Sequence, residues 1–146
     1  VNYKLSNSEQ PSNSSLSLIN ILKQASDGLL FISESESPFE VFLWDDSEQK
    51  DITPELVLQK IGLPLETPVE MVELDSFFEV AIAEQNWHSA EDKITVNKYQ
   101  NLVKVLKENL SDIKVMRFGT ISIDVYIIGK TLNNRLAGLS VKVVET

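Results

Sequence analysis

The last 33 residues of the sequence, "KVMRFGTISIDVYIIGKTLNNRLAGLSVKVVET" (114–146), decide the fold. Three apolar runs, Lys114 to Phe118, Ile121 to Ile128 and Leu136 to Val144, are separated by Gly119-Thr120 and Asn133-Asn134. Residues of those types supply turns, so the stretch predicts three consecutive strands. Upstream, Tyr99, Leu102, Val103, Leu106 and Leu110 form a stripe at helical spacing with Lys98, Lys104 and Lys107 lying off it, which predicts the longest helix. Val69 to Leu74 reads as a strand, and Asp75-Ser76 as the cap of a brief helix through Phe77, Phe78 and Ala81. The segment from Ala83 to Asp92 reads as a polar loop carrying Trp87 and His88. Thr53-Pro54-Glu55 supplies an N-cap, a proline at the first helical position and an acid in the first turn, and Gly62 ends that helix. Phe39, Val41 and Leu43 alternate with Glu40, Phe42 and Trp44, as in a strand covered on both faces, and Asp45-Asp46-Ser47 closes it. Leu18, Ile21, Leu22, Ala25 and Leu29 predict a helix over roughly 15–27, with Ser14 or Ser15 as N-cap and Gly28 as terminator. The order α-β-α-β-α-α-β-β-β predicts an α/β fold, helices over a mixed, largely antiparallel sheet.

At 146 residues with 42% hydrophobic and 24% charged residues, the composition is that of one globular domain with its own core. We expect a polar arm over 1–14 and the domain over 15–146. No apolar run approaches the ~18 residues of a membrane span, and the first residues lack the apolar core of a secretion signal. With no cysteine, disulfide and thiolate chemistry are excluded and a reducing compartment is permitted. The net charge of −9 is lopsided. Residues 1–75 hold fourteen acids against four lysines, whereas 76–146 hold eight acids against nine bases. The densest part, Glu34 to Glu55, has eight acids opposed only by Lys50. Such a field repels a phosphate backbone and steers toward a basic partner; the plainer reading is a solvated face that keeps the protein soluble.

Few residues suggest catalysis. There is one histidine, no Gly-x-Ser-x-Gly elbow and no phosphate-cradling glycine loop. His88 has no recognisable Asp and Ser partners and reads as an exposed loop residue. Asp45, Asp46, Glu48 and Asp51 have the wrong spacing for a calcium loop and lack its central glycine. Three other places stand out. In "LLFISESESPFEVFLW" (29–44), Glu34 and Glu36 sit among three serines between two apolar segments. Trp87 lies between polar residues in "AEQNWHSAED", either tucked into the core or projecting as an interface anchor. "GLSVKVVET" reads as a strand running to the last residue, which would hold Thr146 and its α-carboxylate in place.

Together with "LDSFFEVA…NW" and "YQNLVKVLKENL", these stretches resemble the nuclease A inhibitor family over roughly residues 17–146, in the same order with small insertions. The family blocks a sugar-non-specific nuclease of the ββα-metal type. The resemblance implies an α/β/α sandwich and a protein inhibitor with no catalysis and no cofactor of its own. The partner implied is such a nuclease in a one-to-one complex in the cytoplasm, with neither nucleic acid nor membrane bound directly. It also implies that Glu34 enters the nuclease active site near the catalytic magnesium, and that the C-terminal Thr146 enters the same cleft. The family's Asp-Trp loop contact corresponds to Asn86-Trp87, which lacks the carboxylate. Glu36 and Glu145, the neighbours of the two inserted residues, complete the candidate set. A carboxylate suits this role because it can take a phosphate's place among metal and cations without offering a scissile bond. Two other readings make different demands. An acidic DNA mimic for another basic partner would use the whole field from Glu34 to Glu55. An enzyme using Glu34 and Glu36 would turn over a substrate.

Overall fold

The three terminal strands form the centre of the molecule. The structure is a computed structural model and describes residues 13–44, 51–79 and 90–146. In chain order the elements are α1 (Asn13–Ser26), β1 (Leu30–Ile32), β2 (Glu36–Pro38), β3 (Glu40–Trp44), α2 (Pro54–Ile61) and β4 (Val69–Val72). There follow α3 (Leu74–Phe77), α4 (Ala90–Asn109), β5 (Ser111–Phe118), β6 (Ser122–Lys130) and β7 (Leu136–Val144). Strands β3-β7-β6-β5-β4 make a five-stranded sheet in which every pairing is antiparallel, and β1-β2 is a separate hairpin. At Gly138 the strands β6 and β7 meet so closely that a Cβ would fall 1.7 Å from the Ile127 carbonyl oxygen. No side chain fits there.

Alternation along the strands sends apolar residues to both faces. Val115, Ile123, Val125, Ile127, Leu139, Val141 and Val143 pack under α1, α3 and α4. Met116, Phe118, Ile128 and Leu136 pack against Ile52, Val57 and Leu58 of the α2 region, with Phe42, Trp44 and Tyr126 alongside. Helices therefore cover both faces: an α/β/α sandwich. As the sequence predicts, β3 is covered on two sides, Phe39, Val41 and Leu43 facing one core and Phe42 and Trp44 the other.

Local chemistry sets several boundaries. Thr53 Oγ1 accepts the Leu56 N–H at 3.2 Å and Gly62 closes α2 at φ 78°, φ values that favour glycine. Four expectations are corrected. Ser14 and Ser15 lie inside α1, which begins at Asn13. Helix α3 begins at Leu74 after Glu73, so Asp75 lies inside its first turn and does not cap; its carboxylate pairs with Lys107 Nζ at 2.8 Å. Residues 90–92 belong to α4 and not to a loop. The order α-β-α-β-α-α-β-β-β lacks two short strands, because the acidic island folds as the β1–β2 hairpin. No described helix is long and apolar enough to cross a membrane.

Candidate functional site

The hairpin is fixed from beneath by its one inward apolar side chain. Phe31 stacks on Phe77 of α3, with centroids 4.6 Å apart and planes 5° from parallel. It also meets Phe39 and Phe78 edge-on at 6.2 and 6.5 Å. Such aromatic pairs each contribute about 0.5–1.5 kcal/mol beyond their buried area. From α4, Tyr99 donates its hydroxyl to the Leu30 carbonyl at 2.6 Å. Burial pushes the Tyr99 phenol up to about 12, so it remains a donor throughout the physiological range. Leu30 and Ile32 alternate with Phe31 and face outward.

Ser33, Glu34 and Ser35 form the tip. The Ser33 amide donates to the Ser35 carbonyl at 2.7 Å, closing the turn. The tip is also joined to β7: the Val144 amide donates to Ser33 Oγ at 3.0 Å and the Glu34 amide to the Val144 carbonyl at 3.1 Å. Here the serines have a structural use. A short hydroxyl reaches the neighbouring backbone and satisfies a strand-end amide.

These bonds bring Glu34 to Thr146, 112 positions away in sequence. The Thr146 amide donates to Glu34 Oε2 at 2.6 Å, and Thr146 Oγ1 donates to Oε1 at 2.7 Å. Both carboxylate oxygens are thereby engaged and the side chain has a fixed direction while remaining exposed. The Thr146 amide, then its hydroxyl, hold the Glu34 carboxyl below the usual carboxylate range. A general acid needs the opposite shift. The arrangement is that of a fixed, ionised anion on a projecting tip. Among the described residues no cluster of three or more His, Asp or Glu could hold a metal.

A family model described as Nuclease A inhibitor-like protein matches residues 17–146. The chain belongs to this family. No curated protein matches it. In this nuclease A inhibitor-like protein, two of the residues singled out in the sequence, Glu34 and Thr146, share one site. Glu36 and Glu145 flank it. Glu36 is exposed on β2 opposite Ile32. Glu145 turns instead to Arg117, whose Nη2 lies 2.7 Å from its Oε1. Asn86 and Trp87 lie outside the described residues, as do His88, Asp45, Asp46 and Glu48.

Sequence reasoning missed Ser33 and Tyr99 as parts of this site. Tyr99 was legible as a core position of α4, but nothing local indicates that its hydroxyl holds residue 30. Ser33 was one of three equivalent serines, and its role depends on Val144, 111 positions on.

Proposed function

We propose that this chain is a protein inhibitor of a magnesium-dependent, sugar-non-specific nuclease of the ββα-metal type, bound one-to-one in the cytoplasm. Glu34 and the α-carboxylate of Thr146 enter the active site, Glu34 near the catalytic metal. Glu36, Glu145, Asn86 and Trp87 contact the surrounding surface. The inhibitor has no catalytic activity or cofactor of its own and binds no nucleic acid directly. The observation that carries this reading is the pair of hydrogen bonds from Thr146 to Glu34, which fixes an ionised carboxylate on an exposed tip in a member of an inhibitor-like family. A nuclease active site offers metal and cationic side chains arranged for a phosphodiester, and a carboxylate can occupy that place unreacted. Its burial is tolerable because the partner supplies opposite charge. Fixing the tip beforehand lowers the ordering cost of binding. The acid-rich first half of the chain speeds encounter with a site built for polyanions, so association weakens with salt.

The test is titration of such a nuclease with the full chain. Activity should fall linearly to an end point at one equivalent, and free DNA should show no mobility shift with the inhibitor alone. Undiminished nuclease activity at excess inhibitor, or retardation of free DNA, would overturn the proposal.

A further inference from the structure

We propose that Arg117 is a positioning residue of the tip: by holding Glu145 it fixes the chain at Thr146, and so sets the direction of Glu34. The inference rests on the proposed inhibitory role of Glu34 and adds a residue to it. Arg117 lies on β5, two strands from β7, with its side chain only 16% exposed. Its Nη2 meets Glu145 Oε1 at 2.7 Å, and its Nε lies 3.3 Å from Glu70 Oε1 on the edge strand β4. One guanidinium therefore ties β4, β5 and the residue just after β7 together. Nε is inaccessible to solvent and makes no hydrogen bond, so the geometry favours the Glu145 contact over the Glu70 contact.

Thr146 is held by its two bonds to Glu34, and Glu145 by the Arg117 contact. Beyond Val144, the main chain of Glu145 is attached among the described residues by one bond, from its amide to the Ile121 carbonyl at 3.0 Å. Chain termini fray unless tied down. A half-buried, charge-assisted bond is among the stronger ties available, and the planar guanidinium presents its donors in fixed directions. Because Glu145 and Thr146 are adjacent, fixing one limits where the next amide and Oγ1 can point. Those are the two donors to Glu34. The sequence thus runs from Arg117 through Glu145 and Thr146 to Glu34, with each tie a direct contact or a peptide bond.

Among the described residues the charged groups joined in this relay are Glu34, Glu145, Arg117 and Glu70 on β4, beside the α-carboxylate that the proposed function assigns to Thr146. The test uses the full chain with Glu145→Ala, which removes the acceptor, and Arg117→Met. Glu145 is half exposed, so Glu145→Ala should fold even if Arg117→Met does not. NMR titration of the Glu34 side-chain carboxyl in the free protein is the primary readout. In the wild-type chain it should titrate below the ordinary value of 4.5; in either folded variant it should move back toward that value. The Thr146 amide should exchange faster with solvent. Inhibition of a ββα-metal nuclease should weaken by roughly tenfold or more, the scale of one charge-assisted bond. A purely structural role would lower the thermal midpoint without moving the Glu34 titration. Unchanged Glu34 titration and Thr146 exchange in Glu145→Ala would overturn the proposal. Because both measurements use the free inhibitor, they decide the role of Arg117 even if no nuclease is inhibited.

Discussion

Replacing Glu34 by Gln separates charge from shape at the point where the proposed mechanism is most exposed. The glutamate accepts from the Thr146 amide through Oε2 and from Thr146 Oγ1 through Oε1. In the glutamine variant the amide oxygen can keep the backbone N–H, while the new NH2 faces Oγ1, which can rotate to accept. Both contacts survive and the tip keeps its direction; only the negative charge is gone. The group is exposed in the free protein, so the thermal midpoint should barely change. In the complex the same side chain faces the partner's metal and cations, and removing one member of a buried charged contact weakens binding by roughly 30- to 5,000-fold. Glu36→Gln is the matched control, since Glu36 lies on the flank of the hairpin opposite Ile32. Inhibition constants for both variants, measured against one nuclease at one ionic strength, decide the matter. Equal and small losses at Glu34, Glu36, Asp45 and Asp46 would refute insertion of a single carboxylate and favour a diffuse acidic mimic of DNA.

Appending Gly-Ser-Gly after Thr146 moves the α-carboxylate by up to about 10 Å and should greatly weaken inhibition. The melting midpoint and the Glu34 titration should stay unchanged, because the two bonds to Glu34 use the amide and hydroxyl of Thr146. The same extension before Val1 should leave the inhibition constant as it was. For Trp87→Ala, an interface role predicts a loss of about 2 kcal/mol or more in binding with little change in stability, whereas a core role predicts about 3–5 kcal/mol in stability; denaturation and titration of the same variant distinguish them, and Asn86→Asp should bind equally or more tightly. Tyr99→Phe removes the donor to the Leu30 carbonyl and should cost about 1–2 kcal/mol in urea unfolding. The Tyr99 phenol is raised from 10.0 to about 12 in the folded protein, so its contribution is complete below pH 10 and is lost as pH rises toward 12. The phenylalanine variant should lack that alkaline decline.

The parts of the fold that were legible depend on neighbouring residues. Thr53, Pro54 and Gly62 delimit α2 through bonds and dihedrals made within a few positions, and the turns after Phe118 and before Leu136 lie between long apolar runs. The hairpin was not legible for the opposite reason. Its strands are three residues each, and Ser33 to Ser37 have little intrinsic strand preference. They pair because Phe77, Tyr99 and Val144 hold them, from 46 or more positions away in sequence. Asp75 shows the same limit at a smaller scale: its local pattern is that of a cap, but Lys107 takes the carboxylate. Glu34 and Thr146 were singled out separately. That one donates two hydrogen bonds to the other is a property of the folded chain.

That contact bears on how the tip can enter a closed site. If Glu34 entered alone, the two bonds from Thr146 would break, and the partner would have to replace both as well as meet the carboxylate's charge. If Thr146 enters with it, both bonds persist. The partner then meets a surface whose internal hydrogen bonds are already made, and the ordering cost falls further. Under the proposed mechanism the α-carboxylate of Thr146 enters beside Glu34, and two carboxylates in one small volume are an arrangement that free solution opposes and a divalent metal with nearby cations favours. The same geometry that makes joint entry the lower-cost route therefore selects for a strongly cationic partner site. On neutral or acidic surfaces the paired charges would be left uncompensated, so repulsion at the tip adds specificity that the rest of the acidic surface need not provide.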